Sequence, residues 1–234
     1  GGWECGGAAR CGSLALGMAE VLGVVFPGGA TAGGVGIIAS YPGAGCPAME
    51  PGSDVALLAS IGKYRDGVVL ARTATTTVAQ PFVAAVFDPV RDAGRDEPLA
   101  IAYSELVPSE DGVQRWIYSH YDAADGVRLP TLAARLSEIA GGPGNASPFL
   151  LEPTAPLESV PTYAIADVLG CIQSNPPAVR AAFADKVVLI GSNLAEEDRK
   201  RAPDRFLKWP SIASVRGDGF GCGLAPPGPA APDH

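Results

Sequence analysis

The chain has 234 residues, 47% of them apolar and 18% charged, enough for one large domain with a sizeable core and too apolar to be disordered throughout. A formal charge of −8 and a pI near 4.7 argue against nucleic acid as a partner, because neutralising phosphates needs a basic face. Glycine (30) and proline (22) are enriched and gather toward the two ends, which divides the chain into three zones.

The first zone, residues 1–52, is punctuated by GGWECGG, PGGATAGGVG and YPGAGCPAMEPG. It is expected to be partly ordered at best, with one strand over Val35–Ser40. Its longest apolar run, Leu14–Phe26, carries Glu20 in its middle and falls short of the roughly twenty residues a membrane span needs. The run reads as a core strand or helix, or as poorly specified sequence; followed as it is by small residues, it also fits a signal-peptide core. The missing initiator methionine reads as a fragment of a longer protein.

The second zone, residues 53–206, is orderly. Ser53 suits a helix N-cap with Asp54 in the first turn. Val55, Leu57, Leu58 and Ile61 follow at helical spacing. After an Asp66-Gly67 turn, Val68–Ala71 reads as a short buried strand, so that helix and strand form the αβ half of a crossover unit. Leu99–Val107 and Val113–Tyr121 are expected to pair as a hairpin around Asp111-Gly112. Neither face of the second strand is cleanly apolar, which puts the hairpin at an edge or along a groove.

Beyond a second turn at Asp125-Gly126, Pro130 is expected in the first turn of a helix carrying Leu129, Leu132, Ala133, Leu136, Ile139 and Ala140. Gly141-Gly142 should stop that helix. A proline-rich connection leads to another helix with Ile165, Val168, Leu169 and Ile172 as its buried stripe, and then to a second, shorter one. The unbroken run Val187–Ile190 reads as a parallel strand buried on both faces, closed by Gly191-Ser192-Asn193. The third zone, residues 207–234, ends in APPGPAAPDH and is expected to be disordered. The fold class is therefore α/β: a single domain with a mixed, partly parallel sheet flanked by helices, and irregular or disordered ends.

Motifs for chemistry are few. The five cysteines are odd in number and have no CxxC spacing, which supports neither a zinc site nor a thioredoxin-like motif. Cys171 reads as a small core residue, and no pairing among Cys5, Cys11, Cys46 and Cys222 follows from spacing. His120 and His234 are the two histidines, so any nucleophile–histidine–carboxylate triad has to use His120, which reads instead as a surface or groove residue. GxSxG, HExxH and GxxxxGK[ST] patterns are absent from the sequence. The glycine-rich GDGFGCG follows no predicted strand. Asp122 and Asp125 lack the calcium-loop pattern around them, and the Asn145-Ala146-Ser147 sequon is followed at once by Pro148. No catalytic residue, metal ligand or cofactor is assigned.

The charge block from Glu196 to Arg201 has two readings. One is a solvated, self-paired surface. The other rests on its position beyond the carboxyl end of a buried strand, where ligands gather in open α/β sheets. Charges of both signs there would bind a small anion or set a dimer register. On that reading Ser192, Asn193, Glu197, Asp198 and Arg199 are the candidate ligand-binding or dimer-contact residues.

In ordered succession, residues 53–206 resemble the type-2 CHASE domain. The resemblance is carried by Asp54 and the LLASI helix leading into VVLA, by Asp111-Gly112-Val113-Gln114-Arg115, and by LPTLAARL. It continues through SVPTYAIADVL, FADKVVLIG and EEDRKRAPDRF, and it does not extend before Ser53 or after Phe206. The resemblance implies a non-catalytic, extracytoplasmic sensory domain, anchored in the inner membrane by the parent protein. Such a domain regulates a cytoplasmic effector such as a class III adenylate or guanylate cyclase, a histidine kinase or a Ser/Thr kinase. It also implies a homodimeric receptor and an unknown small-molecule or stress signal. The alternatives from other classes are a small α/β enzyme or nucleotide-binding domain using the loop after Ile190, and a purely structural interaction module.

Overall fold

The structure, a computed structural model, describes residues 17–24, 26, 35–37, 51–73, 78, 80–94, 98–122, 126–142, 148–150, 161 and 163–190. A helix over 17–24 (α1) precedes β1 (Val35–Ile37), α2 (Pro51–Lys63), β2 (Val68–Arg72), α3 (Gln80–Val86) and β3 (Ile101–Tyr103). Next come β4 (Trp116–Ile117), β5 (His120–Asp122), β6 (Arg128–Pro130), α4 (Leu132–Ile139) and β7 (Phe149–Leu150). The described chain closes with α5 (Ile165–Ser174), α6 (Pro176–Phe183) and β8 (Val188–Ile190).

Among the described residues the main sheet has four strands in the order β3-β2-β1-β8. Every pairing in it is parallel. The antiparallel pairs, β4 with β7 and β5 with β6, form separate two-stranded ribbons. The protein is thus an α/β fold, with its parallel and antiparallel pairings kept apart.

Strand β1 comes from the first zone, yet it lies between β2 and β8. Helix α1 also buries Ala19, Val21 and Leu22 in the core. A domain boundary at residue 52 would run through the sheet, so the fold takes in residues well before Ser53.

Successive residues of β2 point to opposite faces, as a strand requires. Val68 and Leu70 join a large cluster with Leu57 and Ile61 of α2, Phe82 and Val86 of α3, Val168 and Cys171 of α5, and Val179 of α6. Val69, with Ala102 of β3, packs against Leu132 and Leu136 of α4. All five residues of β2 are buried, which is why its sequence shows no alternation.

Several local expectations change. Helix α2 starts at Pro51, so Ser53 lies inside it and not at its N-cap position. Leu57 and Ile61 are its buried pair, whereas Val55 is exposed. The expected hairpin is absent. Ile101–Tyr103 is buried and joins the parallel sheet, Trp116–Ile117 pairs with Phe149–Leu150, and His120–Asp122 pairs with Arg128–Pro130. The reason is that LAIAY is apolar at every position, which suits a strand covered on both faces, and the Val113–Tyr121 segment is not.

The Asp111-Gly112 turn itself forms, with Gly112 at φ 76° and its N–H donating to the Ser109 carbonyl at 2.8 Å. Pro130 ends β6, and Thr131 caps α4 by accepting the Ala134 N–H. Gly141, at φ 76°, ends α4 and lets the Gly142 N–H reach the Ser137 carbonyl at 2.7 Å. Strand β8 is the sheet's edge, and Leu189 is 60% exposed where burial on both faces was expected. Helix α4 makes its main sheet contacts with β1, β2 and β3.

The amino-terminal edge of the sheet is held by charge. Asp92, 2% exposed, accepts the Leu99 N–H at 2.9 Å and the Asp88 N–H at 2.8 Å. Arg91 lies 3.5 Å from Asp92, donates to the Val86 carbonyl at 3.0 Å and pairs with Asp66 in the α2–β2 turn. Asp88 accepts the Val90 and Arg91 N–H groups and pairs with Arg65 at 2.7 Å. Burial alone would raise the Asp92 carboxyl, but the two backbone N–H groups and the Arg91 guanidinium together hold it below the ordinary carboxylate value.

A depressed folded value means that Asp92 stabilises the fold above the unfolded-state value, and that this stability is lost as pH falls through the folded value. We expect Asp92→Ala to cost about 2–4 kcal/mol, since it leaves two N–H groups and a guanidinium facing a void. Urea titration at neutral and acid pH checks this. An unshifted midpoint at neutral pH would show that the clasp carries no weight.

Candidate functional site

In an open parallel sheet, ligands bind beyond the carboxyl ends of the strands, at the point where strand order reverses. Here that point is β1, which has β2 on one side and β8 on the other, with Ile37 opposite Ile190. The chain runs on from β8 into Gly191, Ser192 and Asn193. Ser192, Asn193, Glu197, Asp198 and Arg199 all lie outside the described residues.

At the same edge the structure reveals a charged group missed in the sequence. Strand β2 ends in Arg72, only 3% exposed, opposite Tyr103 at the end of β3. The Arg72 guanidinium lies over the Tyr103 ring, 5.9 Å from its centroid. Tyr103 in turn stacks on Tyr121 of β5, with ring centroids 4.1 Å apart and planes 17° from parallel. A cation and two rings thus form one layered column across the ends of β2 and β3 and the neighbouring ribbon.

Backbone contacts fix this column. The Arg72 carbonyl accepts both the N–H and the hydroxyl of Ser104, at 3.0 and 3.1 Å. Thr131 bridges to Tyr103, donates its N–H to the Ser119 carbonyl at 2.8 Å and its hydroxyl to the Tyr118 carbonyl at 2.7 Å. One residue thereby ties β3, the β5–β6 ribbon and the start of α4 together. In the sequence Arg72 stands directly after the apolar run VVLA, and nothing local distinguishes it from a charge at a strand end; its burial depends on the partners the register brings to it.

Other residues singled out in the sequence stand apart from this edge. His120 is exposed, and its Nδ1 lies 3.1 Å from the Ser119 hydroxyl; among the described residues no carboxylate is hydrogen-bonded to the ring. Asp122 is exposed and pairs with Arg128 at 3.7 Å. Asp125 lies outside the described residues. Asp111 and Arg115, the ends of the DGVQR segment, form a two-pronged ion pair with distances of 2.7 and 2.6 Å. The Arg115 guanidinium, helped by the Val113 N–H, brings the Asp111 carboxyl down to about 2. The spacing of that motif therefore serves to brace a surface turn.

A shallow pocket of about 80 Å³ lies between the β4–β7 ribbon and α4, lined by Ile117, Tyr118, Ser119, Ala133, Ala134, Ser137 and Phe149. It has room for one side chain and falls well below the few hundred Å³ typical of small-molecule sites. Among the described residues no group of three or more histidine, cysteine or acidic side chains is placed to hold a metal ion.

Cys171 is 1% exposed, as its place on the buried face of α5 implies. It is also disulfide-bonded, and so it is a cross-link as well as a core residue. The other four cysteines lie outside the described residues.

Tyr121→Leu keeps an apolar side chain against Tyr103 and removes the ring stack. We expect a loss of about 1 kcal/mol beyond the change in buried area, read from urea denaturation. A loss no larger than that of an exposed substitution would mean the column does not hold the ribbon to the sheet. Comparison with known protein families, characterised proteins and solved structures finds no match for this chain.

Proposed function

We propose that this chain is an extracytoplasmic sensory domain of the type-2 CHASE kind, the input module of a membrane-anchored bacterial receptor. Its signal, a small molecule or a stress, is read at the carboxyl edge of the parallel sheet. The output is a shift between two arrangements of a homodimer, passed to a cytoplasmic cyclase, histidine kinase or Ser/Thr kinase. Only a ligand that binds one arrangement better than the other moves that equilibrium. This chain carries no catalysis of its own on this reading. No described helix is long and apolar enough to cross a bilayer.

The observation that carries this reading is the disulfide at Cys171. Stable disulfides form in oxidising compartments and are rare in the cytosol. One buried in the main core must form as the domain folds, which suits a domain that matures outside the cytoplasmic membrane.

A second reading is favoured by one feature, the reversal of strand order at β1. In doubly wound folds nucleotides bind in the crevice at such a point. A small α/β enzyme or nucleotide-binding domain using the loop after Ile190 is therefore the alternative.

Three measurements test these readings. Reduction should lower the stability of the purified domain by about 2–4 kcal/mol, seen as a fall in melting temperature that Cys171→Ala abolishes. Equal melting with and without reductant would remove the support for an oxidising compartment. In the full-length receptor, Asp198→Ala should move the signal dose–response by roughly fivefold or more without unfolding the domain; an unchanged curve with normal folding takes that loop out of signalling. Thermal-shift titration with nucleotides should leave the melting temperature unmoved, because only a ligand of the native state raises it. A concentration-dependent rise would favour the alternative.

A further inference from the structure

No further inference is drawn: the strongest candidate, the bare apolar strip of edge strand β8 beside α4, where Val187 and Leu189 stand exposed, carries nothing because no feature among the described residues shows what covers it.

Discussion

Val35, Gly36 and Ile37 are paired along both their edges, with Val68–Leu70 on one side and Val188–Ile190 on the other. Because both pairings are parallel, neither can be closed by a tight turn, and each requires a crossover that carries the chain over a face of the sheet. Helix α2 supplies the crossover to β2, and α3 the next one to β3. The return from β3 to β8 passes through both ribbons, α4, α5 and α6. The helical layers, and the burial of β2 and β3 from both sides, follow from that requirement.

The two ends of the sheet differ in chemistry. At the amino edge every charge in the clasp has an opposite charge or a backbone group beside it. The chain there is tied from Asp66 through Asp88 and Asp92 to Leu99. At the carboxyl edge the column of Arg72, Tyr103 and Tyr121 brings a guanidinium into a nearly closed setting. Burying a cation is costly, and at this edge the Ser104 and Thr131 hydrogen bonds hold the surrounding backbone in place. Both proposed readings of function look to this carboxyl edge and differ in what they would place there.

The sequence made the repeating elements plain and the pairings obscure. The helices containing Leu57, Leu136 and Val168 and the strands beginning at Val68 and Val188 were legible, because a helical stripe or an apolar run is a local signal. The inner strand was legible as a strand. Its place in the sheet was not, since the glycine-rich text around Val35 carries no hint of partners far along the chain. The hairpin reading failed because Asp111-Gly112 is a true turn whose flanks pair elsewhere: a turn signal reports the bend and not the ladder. Arg72 escaped notice because its meaning depends on Tyr103 and Tyr121, which only the register brings to it. The edge position of β8 was hidden because an apolar run reads the same whether a second face is covered or bare.

The register that joins Val35 to Val188 also sets the order in which the molecule can be assembled. A chain made from its amino terminus can lay β1 against β2 early, through the short α2 crossover. The second edge of β1 has to wait until nearly the whole domain has emerged. Closing so long a loop restrains the chain before any contact is gained, and topologies rich in distant pairings fold slowly for that reason. Until β8 arrives, a half-built sheet stands open beside the very helices that will later pack on it. That interval is when strands from neighbouring molecules can take the vacant position, and it makes the docking of β8 the step on which the yield of folded protein turns.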